Sequence, residues 1–324
     1  MGYEKELEVA LDAVAQASKL CQAVQQRLVA GSTLQKGDKS PVTVADFGAQ
    51  AIVSHLLHQA FPSIPLVGEE DADALREAGN QTLRDNVLAG VQSVRPELGL
   101  NATLDAIDRG TYEGGKSGRH WTLDPIDGTK GFLRLDQYAV ALALIEDGEV
   151  VLGVLGCPNM PPQSGTQKGA LFSAVRGQGA NQHGLIDRSA TPIHVDDVTD
   201  ASMAKFCESV ETAHTSHSHS ARIGARLGIT EPPYRIDSQC KYAAVARGDA
   251  SIYLRLPTKP GYVEKIWDHA AGWAVVTEAG GRVTDVSGAD LDFGLGRRLE
   301  SNKGVIVTNG RFHDEVLRAV QAEL

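Results

Sequence analysis

The sequence predicts a layered α/β (α+β) protein made of two lobes. Short apolar stretches typical of strands alternate with stretches in which apolar residues recur every three to four positions, as in amphipathic helices. The 324 residues are long for one hydrophobic core and sufficient for two packed lobes. Because the pattern changes after Pro158, we predict a first lobe over residues 1–158 and a second over 159–324.

The first two helices follow from apolar spacing. Apolar side chains recur at helical intervals from Leu7 to Leu28, which predicts a helix that ends before Gly31. Pro41 should interrupt the chain in a loop, so the second helix is expected to begin near Ala45.

A short apolar strand should follow, ending at Gly68 and continuing directly into three acidic residues. Residues 72–119 are polar and Gly-rich with one helical pattern, and we interpret them as a surface excursion over the site. A strand ending at Asp124 and a short helix or turn come next. The following hairpin should turn at Asp147-Gly148.

The second half alternates strands with helices and contains no internal repeat. The predicted strands are "GALFSAV", "SIYLRL" and "GVIVT", and the predicted helices are "SQCKYAAVARG", "DHAAGWAVVTEAGG" and the C-terminal segment. This order is compatible with sheets covered by helices.

Composition excludes several function classes. The formal net charge is −10, which argues against a general nucleic-acid binder, since such proteins need a basic face. No apolar run is long enough to span a bilayer, and the acidic, amphipathic N-terminus is unlike a signal peptide. We therefore expect a cytoplasmic monomer with neither nucleic-acid nor membrane partners.

The four cysteines are scattered, without a C-x-x-C pair. They are Cys21, Cys157, Cys207 and Cys240. We interpret them as reduced, buried, small apolar side chains and not as disulfides or structural zinc ligands.

The segment "HWTLDPIDGTKGF" places Asp124 and Asp127 three residues apart around Pro125. Two buried carboxylates at close range repel each other unless one is protonated or a cation lies between them. Mg²⁺ binds carboxylate, carbonyl and water oxygens, so the pair predicts a magnesium site with the Ile126 carbonyl as a further ligand. The alternative is that Asp127 only caps the next helix.

Gly128 and Thr129 lie where that helix should begin. Free backbone amides at a helix N-terminus favour a phosphate group. The pattern therefore predicts a phosphate next to the metal site.

Three further acids lie at the ends of apolar elements: Glu69 follows a strand, and Asp46 and Asp268 lie near the starts of helices. Each alone is explained by a solvated turn, a helix cap or a first-turn acid. Together with Asp124 and Asp127 they favour a multi-metal phosphate site. Thr129, hydrogen-bonded to a carboxylate such as Asp46, could orient a water that the metals activate.

A family resemblance is carried by "GEED", "DPIDGTKGF" and "WDHAAG" in this order. These motifs resemble the inositol monophosphatase superfamily of lithium-sensitive, magnesium-dependent phosphatases. The longer segments "SPVTVAD", "VLGCPN", "SVETAHTSH" and "DSQCKYAAVARGDASIYLRLP" resemble its 3′(2′),5′-bisphosphate nucleotidase branch. The likeness spans roughly residues 5–320. It implies an αβαβα sandwich, two or three Mg²⁺ ions per site, inhibition by Li⁺, and a role in sulfur metabolism.

The resemblance also implies residue roles. The implied metal ligands are Glu69, Asp124, Asp127, Asp268 and the Ile126 carbonyl. The implied catalytic pair is Asp46 and Thr129. The implied substrate-binding residues are Gly128, Thr129, His214, Ser238, Lys241 and Arg255.

A bisphosphate needs a second anion site, for which Lys241 and Arg255 are the candidate counter-charges. The alternatives are a surface lysine lying along apolar side chains and an arginine at a strand end. His214, His217 and His219 could suggest zinc, but an exposed polar loop is the interpretation we prefer.

The implied activity is hydrolysis of the 3′-phosphate of adenosine 3′,5′-bisphosphate (PAP) to AMP and phosphate, and of its sulfated form PAPS to APS. Water attacks directly. Phosphatases with a nucleophilic aspartate need Asp-x-Asp, whereas this chain has Asp-x-x-Asp. The remaining alternatives are an inositol phosphate phosphatase acting on inositol 1-phosphate or inositol 1,4-bisphosphate, and a non-catalytic sensor of the bisphosphate nucleotide.

Overall fold

The computed structural model describes residues 2–30, 40–163, 168–210, 217–257 and 261–324. The helices within these ranges are α1 Glu4–Ala30, α2 Ser40–Ala60, α3 Asp73–Arg76, α4 Gln81–Gln92, α5 Leu100–Asp108, α6 Thr129–Leu133, α7 His217–Leu227, α8 Cys240–Ala246, α9 Ala270–Glu278 and α10 His313–Gln321. The strands are β1 Leu66–Gly68, β2 Arg119–Asp127, β3 Ala139–Glu146, β4 Glu149–Cys157, β5 Ala170–Val175, β6 Ala180–Gly184, β7 Ala190–Ile193, β8 Phe206–Glu208, β9 Tyr234–Arg235, β10 Ile252–Arg255, β11 Arg282–Thr284 and β12 Val305–Thr308. Short 3-10 helices occupy Ala78–Asn80, Ala201–Met203 and Ile266–Asp268.

The strands form two sheets. The first has seven strands in the order β1-β2-β3-β4-β5-β6-β7, and only the β1–β2 pair is parallel. The second has five strands in the order β11-β12-β10-β8-β9. The boundary predicted at residue 158 falls between β4 and β5 of the first sheet, and the chain passes to the second sheet between Ile193 and Phe206. The division into two lobes stays a prediction.

Helices and sheets alternate in five layers. Helices α1 and α2 pack together on the first sheet, and α9 packs on β3, β4 and β5 of the same sheet. Helices α8 and α9 also contact β8, β10 and β11 of the second sheet, whose remaining apolar side chains pack against α7 and α10. This arrangement confirms the predicted layered α/β class and the αβαβα sandwich.

The start of α2 differs from the prediction. The helix begins at Ser40 and not near Ala45, and Pro41 is its second residue. Proline is tolerated in a first helical turn because the amide it lacks would have no intrahelical acceptor there. Asp46 consequently lies within the helix and not at its cap.

The interpretation of residues 72–119 as a surface excursion over the site is wrong. This segment contains α3, α4 and α5, and the latter two pack on α2. Leu75, Val91 and Ile107 are fully buried in that core. Their apolar faces cover α2, which explains why a segment with a polar average is folded onto the protein body.

The described part of α1 runs to Ala30, and Gly31 lies outside the described residues, so the predicted end of this helix stays a prediction. The predicted hairpin turn and the predicted burial of the cysteines are confirmed. The β3–β4 hairpin turns through Asp147 and Gly148, which both have positive φ, 51° and 83°, as a tight hairpin turn requires. All four cysteines are buried and free. No described helix has both the length and the apolar character needed to cross a bilayer.

Candidate active site

A cavity of about 310 Å³ opens where the end of β2 meets α8 and β10. The predicted residues that line it are Glu69, Asp124, Ile126, Asp127, Gly128, Thr129, Ser238, Lys241, Arg255 and Asp268. Asp46 is not among the lining residues, and His214 lies outside the described residues. The acids predicted from separate parts of the chain thus share one cavity.

Strand pairing places the first acids together. Strands β1 and β2 run parallel with Gly68 opposite Leu123, so Glu69 and Asp124 follow at the same end of the sheet. The β2–β3 register shifts between Asp124 and Asp127. Such an irregularity re-aims the bulged strand, and Asp127 also lines the cavity.

These acids strongly affect one another. Burial, followed by the charges of Glu69 and Asp127, raises the pKa of Asp124 well above its usual value. Burial, followed by the charges of Asp268 and Glu70, raises the pKa of Glu69 to about 8. Hydrogen bonding to Asp124 acts in the opposite direction on the pKa of Glu69.

Neighbouring acids and cations shift the pKa of Asp127 in opposite directions. Burial and then Asp268 raise its pKa to about 6, although Lys241 and Arg255 act in the opposite direction. The backbone amide of Gln239 donates to its Oδ2 at 2.5 Å. Because Asp127 accepts from the residue before α8 and no side-chain hydrogen bond within the described residues caps α6, the interpretation of this acid as only a cap of the next helix is wrong.

Asp46 lies close to the acids without lining the cavity. Burial, then Glu70 and Glu69, raise its pKa well above the usual value. Its Oδ1 is buried and has no hydrogen-bond partner in the described part of the chain. Thr129 is exposed at the start of α6, and within the described ranges no hydrogen bond joins it to Asp46. Their role as a catalytic pair stays a prediction.

Gly128 closes the turn between β2 and α6. Its φ is 92°, and a Cβ at this position would lie 2.7 Å from the Cβ of Ser238. Ser238 also has a positive φ, 66°, and its hydroxyl oxygen accepts from the amide of Cys240 at the start of α8. Two tight turns, one from each half of the chain, therefore meet at the cavity.

Lys241 is buried at the cavity wall, only 5% exposed, which excludes a surface lysine. Its Nζ donates to Ser209 Oγ at 3.1 Å and lies 5.1 Å from the Tyr253 ring centroid. Burial lowers its pKa, although the charge of Asp127 acts in the opposite direction. The nearby Arg255 pairs with Glu264 at 2.7 Å and with Asp268 at 2.9 Å.

The Arg255 pairs continue into a buried network. His269 Nε2 lies 3.3 Å from Glu264, and its Nδ1 lies 2.7 Å from the Tyr242 hydroxyl. Glu264, Asp268 and His269 bring ligand atoms within 4.8 Å of one another, and they are the one trio of acid, histidine or cysteine ligands in the described ranges that does. Because Arg255 and Tyr242 already pair with this trio, we interpret the three together as an ion-pair network, of which Asp268 alone lines the cavity.

The chemistry of the predicted ligands, Glu69, Asp124, Asp127 and Asp268, fits divalent cations. Asp124 Oδ1 is buried without a hydrogen-bond partner in the described part of the chain. Buried carboxylates with raised pKa values would all ionise if a dication bound among them. No three of the predicted ligand side chains bring oxygens within 4.8 Å of one another in the described part of the chain.

Sequence reasoning missed Gln239. Besides its amide contact to Asp127, its side chain donates to Trp267 O at 2.9 Å and accepts from Gly272 N at 3.0 Å. Gln239 therefore links the segment that carries Asp268 to α8. The signal that could have identified Gln239 is its position between Ser238 and Lys241, two residues that the family resemblance implies for substrate binding.

Other missed residues line the same cavity. They are Lys130, Gly131, Arg134, Ser209, Asp237, Tyr253 and Tyr262. Arg134 pairs with Asp136 and Asp237, and Tyr262 is 54% exposed near Arg255. No periodicity or motif in the sequence pointed to Tyr262.

The histidine cluster is partly outside the described residues. His217 and His219 lie in helix α7, so the interpretation of an exposed polar loop is wrong for these two positions. The side chain of His217 and all of His214 are not described.

Comparison with known proteins places this site in context. The sequence profile described as "Inositol monophosphatase family" matches residues 3–324. A 3′(2′),5′-bisphosphate nucleotidase of Oryza sativa is 49% identical, covering 98% of this chain and 94% of its own. The Arabidopsis thaliana 3′(2′),5′-bisphosphate nucleotidase 1 is also 49% identical, with 99% and 97% covered. One from Schizosaccharomyces pombe is 47% identical, with 99% and 96% covered.

Solved structures agree at the level of the fold. The inositol monophosphatase from Anabaena has a TM-score of 0.64 at 21% identity, with 99% of this chain and 97% of that chain covered. The inositol monophosphatase from Zymomonas mobilis has a TM-score of 0.65 at 19% identity, with 99% of each chain covered.

Proposed function

The chain belongs to the inositol monophosphatase family, and from this premise we propose that it hydrolyses the 3′-phosphate of adenosine 3′,5′-bisphosphate to give AMP and phosphate. The observation that supports this proposal is a sequence identity of 44–49%, over nearly the full length, to proteins named 3′(2′),5′-bisphosphate nucleotidase. The solved inositol monophosphatases are about 20% identical and support the fold alone.

We propose that Mg²⁺, as two or three ions, is held by Glu69, Asp124, the Ile126 carbonyl, Asp127 and Asp268, and that Li⁺ inhibits. When bound, Mg²⁺ lowers the pKa of a water and offsets negative charge on the phosphate. The raised pKa values of Glu69 and Asp127 support this assignment, because burial without a cation disfavours their charged forms.

The protein's own groups would position the reactants. The turn at Gly128 and Thr129 presents backbone amides for the scissile phosphate. Asp46 and Thr129 orient the attacking water, and Asp268 orients the water that gives a proton to the leaving oxygen. Direct attack by water leaves the chain without a covalent intermediate.

Lys241 and Arg255 supply positive charge in the same cavity. We propose that they bind the second phosphate of the substrate, together with Ser238 and with His214, which lies outside the described residues. Within the described ranges Lys241 makes one hydrogen bond, to Ser209, out of the three that an ammonium group can donate. It can therefore still donate to a phosphate oxygen.

We further propose that PAPS is a substrate and that the protein acts as a cytoplasmic monomer in sulfur metabolism. These assignments rest on the family resemblance and the sequence composition.

A phosphate-release panel tests the function. Purified protein is assayed with PAP, PAPS, inositol 1-phosphate and inositol 1,4-bisphosphate, each with Mg²⁺, with EDTA, and with Mg²⁺ plus Li⁺. We expect kcat/KM to be highest for PAP, with loss of activity in EDTA and inhibition by Li⁺. A higher kcat/KM for either inositol phosphate would overturn the substrate assignment.

Two other outcomes would change the mechanism. Tight nucleotide binding with no phosphate release in Mg²⁺ would indicate a sensor. A phosphoryl-enzyme trapped by rapid quench would exclude direct attack by water.

A further inference from the structure

The side chain of Arg297 contacts both of the segments that carry Glu69 and Asp268. Strand pairing sets Glu69 beside Asp124. Asp268 instead ends a 3-10 helix about 200 residues further along the chain, outside the sheet that carries Glu69. Its position relative to Glu69 therefore depends on contacts between side chains and backbone.

Arg297 holds the end of β1 through its guanidinium. Nη2 donates to Gly68 O at 2.5 Å, directly before Glu69. Nη1 donates to Gly110 O at 3.2 Å and to Tyr112 O at 2.9 Å. Gly110 O also accepts from Gly68 N at 2.8 Å. These hydrogen bonds hold the carbonyls of Gly68, Gly110 and Tyr112 in place relative to one another.

Arg297 also holds the segment that carries Asp268. The guanidinium carbon lies 4.9 Å from the ring centroid of Trp267, directly before Asp268. The carbonyl of Arg297 accepts from Ile266 N at 3.2 Å, at the start of the 3-10 helix. Arg297 therefore contacts the chain immediately before Glu69 and immediately before Asp268.

We propose that Arg297 is a positioning residue that fixes Glu69 relative to Asp268 and thereby sets the affinity of the site for divalent cations. The proposal rests on the metal site of the proposed function. Arginine suits this role because its planar fork donates along several directions while its face stacks on an aromatic ring. Lysine keeps the charge but offers neither the fork nor the planar face.

The test compares Arg297→Lys with the neighbouring Arg298→Lys. Arg298 is exposed and does not line the acid cavity. Mg²⁺ binding is measured by isothermal titration calorimetry without substrate, and half-saturating Mg²⁺ is measured by phosphate release. We expect Arg297→Lys to weaken Mg²⁺ binding by about 10-fold or more, as is usual when a group supporting a metal ligand is lost. Saturating Mg²⁺ should restore much of kcat, and Arg298→Lys should bind Mg²⁺ like the wild type.

Two controls separate positioning from folding. A merely structural role would lower the melting temperature in EDTA and leave the Mg²⁺ affinity of the folded protein unchanged. Arg297→Met should weaken binding further, and if it fails to fold, Arg297→Lys still decides the question.

The proposal is overturned if folded Arg297→Lys binds Mg²⁺ with wild-type affinity, if Arg298→Lys loses as much, or if the wild type binds no divalent cation. Failure of the proposed function is a different result. A wild type that binds Mg²⁺ but releases no phosphate from PAP would reject the substrate, while calorimetry would still decide the role of Arg297.

Discussion

At the scale of single residues, replacing Asp127 should lower the activity but raise the stability of the metal-free protein. Asp127→Asn removes one carboxylate from a crowded set, so phosphate release at ordinary Mg²⁺ should fall by at least about 100-fold, since even residues outside the ligand shell cost 10–100-fold. Without metal, the same change removes repulsion from Asp268, so the melting temperature in EDTA should rise.

Asp105→Asn is the matched control, because Asp105 lies on α5 and does not line the cavity. Its activity and melting temperature should stay near wild type. Asp127→Asn with wild-type turnover would remove this acid from the metal site, and a lower apo melting temperature would contradict the repulsion argument.

The raised pKa of Glu69 predicts how metal-free stability depends on pH. Its pKa is about 8 in the folded chain against an ordinary value of 4.5. The folded state therefore holds a proton that the unfolded state loses, and the free energy of unfolding falls as pH rises from about 4.5 to about 8. Mg²⁺ binds the ionised form, so it should raise the melting temperature more at about pH 8 than at about pH 6.

Urea unfolding in EDTA and in Mg²⁺ across this pH range measures the effect, with Glu69→Gln as the comparison. Glu69→Gln cannot ionise and should flatten the pH dependence in EDTA. An equally steep fall in Glu69→Gln would assign the proton to other groups.

At the scale of elements, periodic apolar patterns were sufficient to predict a helix or strand wherever that element buries one face. The amphipathic helix α1 and the hairpin turn at Asp147-Gly148 follow from local sequence alone. The start of α2 did not, because Pro41 is compatible with both a loop and a first helical turn.

The candidate site was predictable as a set of residues but not as a set of contacts. Acids at the ends of apolar elements identified Glu69, Asp124 and Asp268, which line one cavity. Gln239 and Arg297 act by bonding to backbone groups far away in sequence, and no spacing rule specifies such partners. Their roles became visible only once the chain was folded.

The end of β1 tolerates no side chain at Gly68. A Cβ there would lie 2.6 Å from Oε1 of Gln50, whose amide group also donates to Glu70 O at 2.5 Å. Gly68→Ala should therefore displace Gln50, lower the free energy of unfolding by about 1–3 kcal/mol as for other overpacked sites, and weaken Mg²⁺ binding through Glu69. Chemical denaturation and calorimetry measure the two effects.

Gly79→Ala is the matched control, since a Cβ at Gly79 would meet no atom within 4 Å. Its stability should change by less than about 0.5 kcal/mol or rise slightly. If Gly68→Ala is as stable and binds Mg²⁺ as well as this control, the close contact with Gln50 does not constrain the site.

At the scale of the whole molecule, the two sheets share a hydrophobic core. One buried cluster includes Leu155 of β4, Phe172 of β5, Val275 of α9 and Val307 of β12. The cavity is shared in the same way, because Asp127 comes from the first sheet and Arg255 from the second. This cluster and the cavity are therefore each built from both halves of the sequence.

A shared core predicts that the chain unfolds as one unit. Calorimetry of the full chain in Mg²⁺ should give a single transition, because opening either sheet exposes apolar surface of α8 and α9 to water. The fragment 1–158 lacks β5, which pairs along β4 from Leu152 to Cys157, and α9, which covers the same sheet. It should therefore show no cooperative melting and should aggregate through its open edge. A fragment 1–158 that melts cooperatively, or two resolved transitions in the full chain, would indicate that the two predicted lobes fold independently.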